Sequence, residues 1–155
     1  MKILFHADTH IKLGQKNVPK EWALNRYNLF FDRLDELDKE VDFHIIGGDV
    51  FDRVPTLQEV ELFMELVSRR SVPTMIYTGN HESETKKKSF LNYLKNSVVK
   101  LNNKVEIITD ILNFDDLFYI IPYEFIKAQS TWEDLPDNAT LFTHVRGEIP
   151  PHVKP

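Results

Sequence analysis

Phe43-His44-Ile45-Ile46-Gly47-Gly48-Asp49-Val50-Phe51-Asp52-Arg53 reads as a buried strand that runs straight into polar chemistry. Phe43–Ile46 is short and mostly apolar, as a strand covered on both faces is. Two glycines stop it and an acid follows at once. The same succession recurs on either side. Ile3–His6 leads into Asp8-Thr9-His10, Val72–Tyr77 into Gly79-Asn80-His81-Glu82, and Thr140–Thr143 into His144.

Helical periodicity fills the gaps. Glu21–Leu37 carries Trp22, Tyr27, Phe30, Phe31, Leu34 and Leu37 at helical spacing, which predicts one buried face. Thr56-Leu57-Gln58-Glu59 is a capping box that opens a helix running to about Arg70, with Val60, Phe63 and Val67 inward. Ser89–Lys100 reads as a third helix, and Val105–Ile108 and Leu117–Ile121 as further strands. Alternating strand and helix predict a parallel sheet with right-handed crossovers, and Ile3–His6 is expected at its centre. Ligands of such sheets gather at the carboxyl ends of the strands. His10 and Asp49 are 39 residues apart, and Asn80 and His144 are 64 apart, yet all are expected at one rim.

Composition narrows the chemistry. The chain has 155 residues, enough for one domain, and 42% of them are apolar. It has no cysteine, so a metal site must use imidazole, carboxylate and amide donors. A net charge of −5 argues against a nucleic-acid coat protein, though not against a nuclease whose acids are neutralised by cations. No apolar run approaches the roughly 20 residues of a membrane span, and a cytoplasmic location is expected.

Acid, amide and imidazole groups at successive strand ends suit a pair of divalent metals that hydrolyses a phosphate ester. Asp8 and His10 can reach one metal if the backbone bends between them. Asp49 is the candidate bridging carboxylate, brought close by its glycines. Asn80 offers an amide oxygen to the other metal, and His144 offers a nitrogen from a later strand end. His81 suits proton donation to a leaving oxygen, with Asp52 to orient it, and Arg53 either grips phosphate or makes an ion pair. His6 and His44 lie within strands and are expected to be structural. Lys86-Lys87-Lys88 is read as a solvated run or a phosphate contact. Tyr123 and Phe125 are expected to pack.

Asp8-x-His10, Gly48-Asp49-x-x-Asp52-Arg53, Gly79-Asn80-His81-Glu82 and His144 together resemble the motif series of the calcineurin-like metallophosphoesterases. The resemblance implies an α/β fold, a sandwich of two mixed β-sheets flanked by helices (α/β/β/α). It also implies Asp8 and His10 on a first metal, Asp49 bridging, Asn80 and His144 on a second, and His81 paired with Asp52 as the transition-state acid. The opening Met1–His10 and Gly48–Arg53 look most like the SbcD nuclease subunits. Those use manganese, act on DNA ends, and partner an SMC-like ATPase called SbcC. Iron or zinc would suit the same donors.

The family carries a later Gly-His-x-His motif, and only 11 residues follow His144 here. The chain is therefore read as a single nuclease domain, 1–155, incomplete at its C-terminal end. Two other readings stay open. A phosphatase or small-molecule phosphodiesterase shares the motifs, but Ile11, Val54 and Thr78 depart from the phosphatase pattern. A non-catalytic scaffold would explain the missing motif. The second helix, or sequence beyond Pro155, is the candidate surface for a homodimer.

Overall fold

The computed structural model describes residues 1–85, 88–128, 130–133 and 135–145. Lys86 and Lys87 of the lysine run lie outside these. The elements are β1 (Ile3–His6), α1 (Lys20–Asp38), β2 (Phe43–Ile46), α2 (Leu57–Ser68), β3 (Thr74–Tyr77), β4 (Ser83–Thr85), β5 (Lys88–Ser89), α3 (Leu91–Leu101), β6 (Val105–Ile108), β7 (Leu112–Phe114), β8 (Phe118–Ile121), α4 (Ser130–Glu133) and β9 (Leu141–Thr143), with a 3₁₀ turn at Tyr123–Phe125.

Strands β1, β2, β3 and β6 form a wholly parallel sheet in that order. Strands β7, β8 and β9 form a second, mixed sheet, and β4 with β5 makes a small hairpin. Strand alternation splits the core in two. Ile46, Ile76 and Ile107 face the helices, where Phe31, Leu34, Phe63, Leu66 and Val98 meet them. Ile45, Tyr77 and Ile108 face the other way and pack on Phe118 and Ile120 of the second sheet. The layers are thus helix, sheet, sheet. Each fully buried Phe, Leu or Ile contributes about 1.5–3 kcal/mol relative to exposure.

Helix α2 begins as its sequence predicts. The Glu59 amide donates to Thr56 Oγ1 at 3.3 Å, and the Thr56 amide donates to Glu59 Oε2 at 2.7 Å. Leu62, Phe63, Leu66 and Val67 make its buried stripe, while Val60 is only half-buried. Two expectations fail. Strand β1 sits at the edge of its sheet among the described strands, because the chain pairs it with β2 alone, and Phe5 is left 47% exposed. Trp22 belongs to the predicted apolar stripe of α1 but is 51% exposed, and the adjacent Ala23 is buried in the core instead. No described helix is long and apolar enough to cross a membrane.

Candidate metal centre

The loops after β1, β2 and β3 run side by side beyond the sheet. The Asp8 amide donates to the Gly48 carbonyl at 3.0 Å, the His10 amide to Asp49 O at 3.0 Å, and the Ile11 amide to Val50 O at 2.8 Å. The backbone bends sharply at three of the predicted ligands. Asp8, His10 and Asp49 have φ of 55°, 45° and 56°. Such left-handed conformations are unfavourable for residues with a Cβ and persist only where surrounding structure enforces them. The bend anticipated between Asp8 and His10 is this one.

Gly48 and Gly79 supply the enforcement. A Cβ on Gly48 would lie 2.4 Å from Gly79 Cα, and one on Gly79 would lie 2.2 Å from both the amide nitrogen and Oδ1 of Asp49. The glycines therefore let two loops touch each other. Glu82 locks the contact. It is wholly buried, and it accepts from the Asp49 amide (3.0 Å), the Gly79 amide (2.8 Å) and the Phe51 amide (2.8 Å). Burial pushes its carboxyl up to about 7, against the pull of those amides. Sequence reasoning quoted Glu82 without giving it a role. Its signal was position alone, an acid closing the Gly79-Asn80-His81 run.

Side chains from three other loops converge on the carboxylate of Asp49, a residue 4% exposed. His144 Nε2 lies 3.2 Å from Asp49 Oδ2 and 3.1 Å from Asn80 Oδ1, and its Nδ1 is 3.9 Å from Asp8 Oδ1. His10 Nε2 is 3.9 Å from Asp49 Oδ2 and 3.8 Å from Asp8 Oδ1. His81 Nε2 is 3.7 Å from Asp49 Oδ2. Two triads have donor atoms close enough together to hold an ion, Asp8–Asp49–His144 and His10–Asp49–His81. They share Asp49, as a bridging carboxylate must be shared. The expected partition set Asp8 with His10, whose Nε2 is 3.8 Å from Asp8 Oδ1, and kept His81 off the metals as a proton donor. The donors are oxygen and imidazole nitrogen throughout, a set that fits a hard or borderline divalent cation.

Two predicted partners are elsewhere. The Asp52 carboxylate does not face His81. It takes the Lys12 ammonium at 2.5 Å, and that hydrogen bond holds it below the usual carboxylate range. His81 is oriented instead by the Asp52 backbone carbonyl, 2.5 Å from Nδ1. A carbonyl only accepts, so Nδ1 carries the proton and Nε2 points at Asp49. Arg53 forks onto Glu59 at 2.8 and 3.1 Å. Burial alone would raise Glu59, but Arg53 and the Thr56 and Leu13 amides outweigh it and hold the carboxyl at about 2. Arg53 thus braces the start of α2, and the ion-pair alternative describes it. Tyr123 packs its ring edge-on to His144 at 6.4 Å.

Comparison with known proteins agrees with this geometry. Residues 1–147 match the family described as calcineurin-like phosphoesterase. The protein "Probable exonuclease subunit 1" of Escherichia phage T5 is 44% identical over 159 aligned positions, covering 100% of this chain and 48% of its own length. The chain spans about half the length of that relative. With its parallel sheet, its second sheet and its acid–imidazole rim, the chain belongs to the calcineurin-like phosphoesterase family.

Proposed function

We propose that the chain is the metal-binding part of a DNA nuclease of the SbcD type, working beside an SbcC-like ATPase subunit. The observation that carries this is the pair of triads sharing Asp49, built from the carboxyl ends of β1, β2 and β3 of the parallel sheet and, for His144, of β9 in the second sheet. The phage relative, by its name an exonuclease subunit, supports DNA as substrate and an assembly of more than one chain.

Asp8, His10, Asp49, Asn80 and His144 would hold two divalent ions, manganese before iron or zinc. Bound there, such ions supply Lewis acidity toward phosphoryl oxygens and lower the pKa of a water. The residues do the rest. Asp49, fixed by its backbone and by the His81 amide on its Oδ1 at 2.9 Å, keeps one carboxylate between both triads. His81, anchored through Nδ1, turns Nε2 into the site. In its protonated form it can give a proton to the departing sugar oxygen, so that no free alkoxide forms. The Lys12–Asp52 pair keeps the loop carrying that anchoring carbonyl in place.

The test is hydrolysis of linear DNA by the intact protein and its ATPase partner with manganese. Cleavage is expected, with loss on Asp49→Asn and a fall of about 10²–10⁴-fold in kcat on His81→Gln. Turnover of phosphopeptides or cyclic nucleotides with DNA left uncut would overturn the nuclease reading.

A further inference from the structure

Next to Asp8 the surface opens into a cavity of about 380 Å³, within the roughly 300–1,000 Å³ of ligand clefts. Asp8 and Lys12 form one side, and Trp22, Arg26, Tyr27 and Phe30 of α1 the other. The cavity and the candidate metal centre therefore share Asp8. They are also tied together. The Tyr27 hydroxyl donates to the His10 carbonyl at 2.8 Å and accepts from the Lys12 amide at 3.0 Å, so α1 is fastened to the strained ligand loop.

Trp22 is half exposed at the mouth, and the Arg26 guanidinium lies 4.9 Å from the centre of its ring. No carboxylate pairs with Arg26 among the described residues. An accessible indole with a guanidinium over its ring, and no carboxylate on that guanidinium, presents a stacking surface and a cation together. It matches a flat π-face with an adjoining anion, the combination a nucleotide presents. In a chain of net charge −5, such a local cation matters for docking a polyanion.

We propose that this cavity is a nucleobase subsite, in which the base beside the scissile phosphate stacks on Trp22 and Arg26 meets the neighbouring phosphate. This rests on the nuclease reading above and sharpens it. A base paired within a duplex cannot offer its face, so the preferred substrate is an unpaired strand end.

The test is anisotropy of labelled single strands on the intact protein, with calcium in place of manganese to prevent turnover. A strand with bases and the same backbone without them are compared. The intact protein is expected to prefer the base-bearing strand by about tenfold. Trp22→Ala should remove the preference, Trp22→Phe should keep most of it, and Arg26→Ala should weaken both strands alike. Equal binding of the two strands by the unmodified protein overturns the subsite, as does a preference that survives Trp22→Ala. If the preference is present and lost on Trp22→Ala, yet manganese yields no DNA cleavage, the subsite stands and the nuclease reading falls.

Discussion

Asp38, His44 and Arg70 are buried completely, whereas Asp8, His10, His81 and His144 are partly or largely exposed around the buried Asp49, although both clusters are built from carboxylates and imidazoles. In the first, His44 Nδ1 lies 2.8 Å from Asp38 Oδ1, and Arg70 reaches Asp38 at 2.9 Å and Asp35 at 2.5 Å. Burial would raise the Asp38 pKa, but His44 and Arg70 together bring it below the usual value. His6 joins through a 2.8 Å contact to His44 Nε2. A guanidinium of the protein's own closes the charge. In the second cluster the nearest cation, Lys12, is spent on Asp52, and among the described residues no Lys or Arg pairs with Asp8 or Asp49. Its backbone is left-handed at three positions, and the first cluster has none. Residue type does not separate a structural histidine from a ligand. An internal countercharge, or the lack of one, does.

That contrast can be broken by exchange. Arg70→Ala leaves Asp38 buried without its cation and should cost about 3–5 kcal/mol in urea unfolding. Asp49→Asn removes an acid from a crowded group and should leave the metal-free midpoint unchanged or raised. Equal destabilisation by the two substitutions would show that both clusters are structural. Glu82→Gln is expected to lower divalent-ion affinity by about 10–100-fold in calorimetry, since an amide nitrogen cannot accept from the loop amides. Unchanged affinity would mean that the loop contact is held by Gly48 and Gly79 alone.

The smallest effect is on pH. Burial first, and His44 next, depress His6 from 6.5 to about 3. The unfolded chain then binds the extra proton first. The stabilisation is fully present above the unfolded value and is lost as pH falls toward 3. Metal-free protein should lose about 1 kcal/mol between pH 7 and 5.5 through this group, and His6→Gln should flatten that slope. A slope unchanged by His6→Gln would remove His6 from the closed cluster.

Much of this was legible beforehand. Strands β2 and β6 have the predicted bounds, and α1, α2 and α3 differ from prediction by a residue or two at most ends. Apolar runs and helical periods are local signals, and they suffice for such elements. Three-residue strands such as β7 carry too little periodicity, and the β4–β5 hairpin was missed for the same reason. The partner of Asp52 was misread, and Glu59 was not foreseen as the partner in the Arg53 ion pair. A side chain there chooses between groups a few ångströms apart, and that choice follows the exact path of two loops.

Sequence by itself determined which donors exist and that they stand at strand ends: a parallel sheet sends the ends of β1, β2 and β3 to one rim, whereas His144 arrives there from β9 of the second sheet. Tertiary structure decided which acid faces which base, that Glu82 clamps the Gly48–Gly79 contact, and that Trp22 stays outside. Those outcomes depend on Cβ-sized clearances between segments far apart in the chain, and no local pattern encodes them.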